Sequence, residues 1–120
     1  MKDNMKLKLW DKALKIDGLD PMEYRKDVCG ALMIFSKYGM LEDEFGWIED
    51  YIYPISRGGD DRLDNLRPMQ AKNAISKGDD FPVYFRAVKS VNNRNVPMRG
   101  QCRVSLSLIE KIREFYGYQG

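Results

Sequence analysis

The chain of 120 residues contains no histidine. That absence removes the side chain most used as a proton acceptor near neutral pH, and the commonest metal ligand. Cysteine is scarce too. Cys29 and Cys102 stand far apart in sequence and form no C-x-x-C pair, which excludes a zinc knuckle of the kind that staples many small domains. Both read as free thiols in the interior. Long apolar runs are missing, and none approaches the roughly 20 residues that a membrane-spanning helix requires. The opening MKDNMKLKLW places charged and polar residues where a secretory leader has its apolar stretch. The expectation is a cytoplasmic protein with no membrane partner. A net charge of +2 is too small for bulk electrostatics to point to nucleic acid, so any such role must rest on local clusters.

What is present is the composition of a folded domain, with 43% hydrophobic and 32% charged residues. The length suits one core and is short for two, so residues 1–120 are read as a single domain. Leu7, Trp10, Ala13 and Leu14 recur at helical spacing and predict a helix over Lys6 to Ile16, stopped by Asp17-Gly18. Met22 to Lys26 reads as a turn or a single helical turn. Residues 30–39 (GALMIFSKYG) and 45–53 read as two strands of a β-hairpin joined by the acidic loop Glu42 to Glu44. Pro54 ends the second strand, and SRGGDDRLDN reads as a long irregular loop. A helix is predicted from Pro68 to Lys77, begun by the proline and terminated at Gly78. FPVYFRAVKS fits either period and is read as a helix, followed by a polar loop or hairpin tip over VNNRNVPMRGQ. CRVSL alternates as a strand does, and Ser107 with Glu110 predicts a capping box for a last helix through Tyr116.

One stretch carries chemistry. Between Trp47 and Asp80 lie Asp50-Tyr51, Tyr53-Pro54-Ile55-Ser56, Gly58-Gly59, Leu63, Asn65-Leu66 and Ser76-Lys77-Gly78-Asp79. Any single piece is weak, but together at these spacings they resemble the HNH endonuclease family, the ββα-metal nucleases. The resemblance implies an α+β fold. Its core, over about 30–80, is the ββα-metal arrangement of β-hairpin, long loop and helix, with flanking helices and a strand/helix extension over 81–120. It also implies a site. In active relatives a strand Asp and a helix His or Asn hold one divalent ion, while the His after the strand Asp takes a proton from the attacking water. On that frame Asp50 is the remaining metal ligand, and Tyr51 stands at the general-base position. Asn65 supports the loop, and Ala74 occupies the second ligand position.

The substitutions weigh against hydrolysis. An unperturbed phenol titrates near pH 10, so at neutral pH only about one in a thousand is ionised. A methyl group offers no lone pair, and a hard ion such as Mg²⁺ is weakly held by one carboxylate and water. Asn73, beside the vacated position, points about 100° away on a helix and is a poor substitute. Strand alternation puts Glu49 on a face that relatives make apolar, which requires either a cation to meet it or a shifted strand. Arg57, Arg62, Arg67, Lys72 and Lys77 flank the loop and helix as phosphate-contacting residues do in the family. Asp60, Asp61, Asp64, Asp79 and Asp80 offset them, and their plainer reading is solvated surface. Trp47, Tyr53 and Tyr84 read as core aromatics rather than base-stacking platforms.

The sequence therefore predicts a catalytically impaired nuclease-like protein, or pseudo-nuclease, that binds nucleic acid, with DNA as the expected partner. It holds no metal firmly, Mg²⁺ or another divalent ion entering only if it is active. Two alternatives stay open: an active metal-dependent DNA endonuclease with an atypical site, and a protein-interaction module whose partner docks in the former active-site cleft beside Tyr51 and Ala74.

Overall fold

The computed structural model describes residues 1–120 and orders the elements as follows. Helix α1 (Asp3–Trp10) precedes strands β1 (Tyr24–Lys26), β2 (Leu32–Ile34) and β3 (Trp47–Tyr51). Strand β4 (Leu66–Gln70) leads directly into helix α2 (Ala71–Lys77). Strands β5 (Val83–Val91) and β6 (Arg94–Arg103) follow, and helix α3 (Leu106–Tyr116) comes last. The class is α+β, with three two-stranded antiparallel sheets: β1 with β2, β3 with β4, and β5 with β6. No helix is long and apolar enough to cross a membrane.

The expected hairpin between residues 30–39 and 45–53 does not form. Leu32–Ile34 pairs backwards with Tyr24–Lys26, so the segment read as a turn is a strand. Trp47–Tyr51 pairs forwards with Leu66–Gln70, across the long loop. Pro68, expected to open the helix, lies within β4 opposite Glu49. A proline is tolerated there because β4 has a single hydrogen-bonded neighbour and its other edge needs no donor at that position. The helix begins later, where the Gln70 side chain accepts from the Asn73 amide at 3.0 Å.

Two further readings are corrected. Residues 81–90 form most of β5 rather than a helix. Their aromatic and β-branched side chains find a partner in β6, and the Asn92-Asn93 pair, both at positive φ, closes the tight hairpin. Helix α1 stops at Trp10 instead of running to Ile16, because buried Arg25 claims the carbonyls of Asp11 and Ala13 and Leu14 bridges to Lys26. At the other end Ser105, not Ser107, caps α3 by accepting from the Leu108 amide, and Glu110 pairs with Arg113 rather than completing a capping box.

Two apolar clusters hold these pieces. Leu9, Trp10, Met33, Trp47 and Leu66 form one, with the two indoles 5.1 Å apart between ring centroids. Ile52, Tyr53, Met69, Phe81, Tyr84 and Ile112 belong to the other, on which α3 and the β5–β6 ribbon close. Cys29 is buried and Cys102 half-buried, and the two sulfurs, remote in sequence, lie 3.9 Å apart.

A polar hub ties the first strands to the helix. The Asp27 carboxylate accepts from the amides of Cys29, Ala31 and Gln70 and from Asn73 Nδ2, at 2.9 to 3.1 Å. Burial pushes its carboxyl up, and the four donors act in the opposite direction. The Asn73 carboxamide continues the chain, with its oxygen accepting from Ala87 and Val88 and its nitrogen also donating to the Val88 carbonyl. Asn73 is thus a brace between α2 and β5, with no lone pair left over for a metal. Asp27→Asn turns one of the accepting oxygens into a donor facing donors. We expect a loss of about 3 kcal/mol, measured by urea unfolding, from the orphaned buried amides.

Candidate functional site

Pairing of β3 with β4 sets Asp50 opposite Arg67 and Tyr51 opposite Leu66. Alternation turns the Asp50 carboxylate inward, where it is only 5% exposed. Arg67 donates through Nε to Oδ2 at 2.9 Å, and Lys77, reaching in from α2, brings its ammonium to 3.3 Å from Oδ1. Lys77 also donates to the Tyr51 carbonyl at 3.0 Å, and Arg67 to the Tyr84 hydroxyl at 3.2 Å. One carboxylate on β3 thereby joins a cation from β4 and a cation from α2.

The charges respond to this packing. Burial pulls the Lys77 ammonium below its ordinary range, with Asp50 only partly restoring it and neighbouring Arg67 lowering it further. Burial works against the Arg67 guanidinium more than any single neighbour favours it, but the Asp50 charge and hydrogen bond together with Tyr84 and Cys29 leave it raised. The two cations exceed the single anion, so the cluster is net positive.

The loop between β3 and β4 is closed by Asn65, which is fully buried. Its oxygen accepts from the Tyr53 amide at 2.8 Å, and its nitrogen donates to the carbonyls of Tyr53 and Asp60 at 3.0 and 2.8 Å. The glycine pair serves the same closure. Gly58 takes a left-handed turn at φ +113°, and a Cβ on Gly59 would stand 1.9 Å from the Tyr53 carbonyl oxygen. Only glycine lets the loop fold down onto Asn65.

Asp50, Tyr51 and Ala74 line one cleft of about 360 Å³, together with Ile48, Ile55, Glu49 and Asp79. Burial pushes the Tyr51 phenol up, and Glu49 and Asp61 add to the rise. It is therefore an even weaker acceptor at neutral pH than a free tyrosine. Glu49 is met by neither a cation nor a shifted strand: the Tyr38 hydroxyl donates to it at 2.6 Å. The donor set does not fit a divalent ion. Both Asp50 oxygens are engaged by cations, Ala74 offers no lone pair, and no group of three or more Asp, Glu or Cys side chains converges to hold a metal.

The expected phosphate-contacting set divides. Arg67 (7% exposed) and Lys77 (1%) are enclosed and committed to Asp50, so they cannot reach a polyanion on the surface. This corrects the reading of both as nucleic-acid contacts. Arg57, Arg62 and Lys72 are exposed. Arg57 donates to the Asp79 carbonyl. Arg62 is bidentate to Asp60, with its guanidinium over the Phe115 and Tyr116 rings. Lys72 remains free of any ion pair. No family model, curated protein or solved structure matches the chain.

Sequence reasoning missed that Arg67 and Lys77 belong to Asp50. The signal was strand register: once 47–51 is paired with 66–70, Asp50 and Arg67 fall opposite each other. Asp50→Asn leaves two buried cations facing a neutral amide. We expect it to lower unfolding free energy by about 3–5 kcal/mol, whereas exposed Arg62→Ala leaves the urea midpoint unchanged.

Proposed function

We propose that this chain is a non-hydrolysing relative of the ββα-metal nucleases, a domain that keeps the frame of a phosphodiesterase and binds nucleic acid without cutting it. One observation carries the loss of chemistry: the carboxylate that would grip a divalent ion is clamped by Arg67 and Lys77. The order β3, long loop, β4, α2 supports the family frame, as does the convergence of Asp50, Tyr51 and Ala74 on one cleft. Asn65 keeps the loop closed whether or not catalysis survives. A metal-bound hydroxide as an atypical base finds no support, since bringing a dication beside two buried cations is electrostatically uphill.

A second reading draws on the cleft itself. Its walls are Ile48, Ile55 and Ala74, its rim carries Glu49 and Asp79, and its only lining carboxylate with cation partners is Asp50. An acidic rim repels a phosphodiester and suits a protein segment with an apolar side chain and a positive charge. On this reading the former active site is a docking pocket.

Purified protein is expected to leave supercoiled plasmid intact with Mg²⁺, Mn²⁺, Co²⁺ or Zn²⁺, and clear metal-dependent nicking would refute the proposal. Tyr51→His combined with Ala74→Asn returns an acceptor and a second ligand to the same cleft. Because Arg67 and Lys77 still clamp Asp50, the folded double variant is expected to stay inert with Mg²⁺ or Mn²⁺. Metal-dependent nicking by it would show that the clamp does not carry the loss of chemistry.

A further inference from the structure

The β5–β6 ribbon carries charge of one sign. No Asp or Glu occurs between residues 81 and 109, the stretch that holds Arg86, Lys89, Arg94, Arg99 and Arg103. Tyr84 points into the core, so alternation puts Phe85 on the opposite, outward face. Beyond the register shift between Arg86 and Val88, Lys89 is exposed next to buried Val88, its stem lying over Gly30. Val83 pairs with Arg103 and Phe85 with Gln101, which brings Arg103 to that face. Arg99 joins them, its guanidinium 4.0 Å above the Phe85 ring. Lys89, Arg99 and Arg103 are exposed and pair with no carboxylate. Arg94, by contrast, is neutralised by two bonds to Glu44 at 2.8 and 3.0 Å.

Charged residues on an outer strand also discourage edge-to-edge pairing. That purpose is served by either sign. Here every charge is positive, and those on the outward face away from the hairpin tip are left without partners. From the level of Val83 to that of Lys89 the ribbon runs about 20 Å. A duplex of that length carries on the order of a dozen phosphates. Phe85, the one aromatic ring on this face, is covered by Arg99 and offers no platform for an unpaired base.

We propose that the outward face of the β5–β6 ribbon, through Lys89, Arg99 and Arg103, binds the sugar-phosphate backbone of duplex DNA. This rests on the reading of the chain as a nucleic-acid-binding domain. It places the contact on the ribbon rather than on the loop-and-helix rim of Arg57, Arg62 and Lys72. Recognition is of the backbone, so affinity is independent of sequence and falls steeply with salt.

The test is fluorescence anisotropy of the full chain with a short labelled duplex and with its separated strand, across a salt series. The triple variant Lys89→Ala, Arg99→Ala, Arg103→Ala is expected to weaken duplex binding at least about tenfold at low salt. Its slope of log affinity against log salt should fall by about 2.7, from three lost phosphate contacts. A control with the same loss of charge, Lys2→Ala, Lys8→Ala, Lys15→Ala, is expected to change affinity less than about twofold. Equal losses from both triples would overturn the proposal, because net charge alone would then account for binding. So would tighter binding of the single strand than of the duplex. If Arg57→Ala, Arg62→Ala, Lys72→Ala abolishes binding while the ribbon triple does not, the ribbon is excluded and the nucleic-acid reading stands. Absence of any duplex binding by the unaltered chain would overturn both.

Discussion

Three elements of this protein meet at a single carboxylate. Asp50 on β3 holds Arg67 from β4 and Lys77 from α2, all with little access to water. Bringing such charges out of water is costly, and the arrangement is tolerable only because each charge has a partner and further hydrogen bonds. Arg67 reaches the Tyr84 hydroxyl and Lys77 the Tyr51 carbonyl, so the cluster leaves none of its polar atoms unsatisfied. The geometry of strand, strand and helix is locked by the same interaction that engages both oxygens of Asp50.

Around that clamp, hydrogen-bonded hubs do the work of shape. Asn65 closes the long loop onto Tyr53, and Asp27 with Asn73 fastens the first sheet and the ribbon to α2. Such networks are strong when complete and fragile when one member is lost, because each buried donor has no alternative in water. A frame held this way rests on buried hydrogen bonds and not on the side chains of the cleft. The frame presents a cleft with an acidic rim and, separately, a basic ribbon. Their opposite charges favour different partners, which is why nucleic acid is proposed for the ribbon and a protein segment for the cleft.

The candidate site was legible in part. The positions of Asp50, Tyr51, Asn65 and Ala74 in the motif were sufficient to bring the first two and Ala74 to one cleft and to place Asn65 in the loop closure. Strand pairing was not legible. Residues 32–34 and 47–51 are each short and apolar, and either could have paired with the other. Leu66 to Gln70 contains a proline and an arginine and announces no strand, yet it is the partner β3 takes. Phe81 to Ser90 fits both periods, and only the complementary strand across the Asn92-Asn93 turn makes it extended. The single-sign character of the ribbon was present in the composition of residues 81–109, hidden by the near-zero charge of the whole chain.

Local residue chemistry determined on its own that no imidazole is available, that a phenol stands at position 51 and a methyl group at position 74, and that glycine and asparagine close the loop. Those are properties of side chains and of spacing along one segment. Which face Arg67 and Lys77 turn to was decided only by the tertiary structure. A side chain becomes a surface contact or a buried counter-ion according to what lies opposite it across a sheet, and pairing between distant segments is set by the cooperative burial of the whole core rather than by any one stretch.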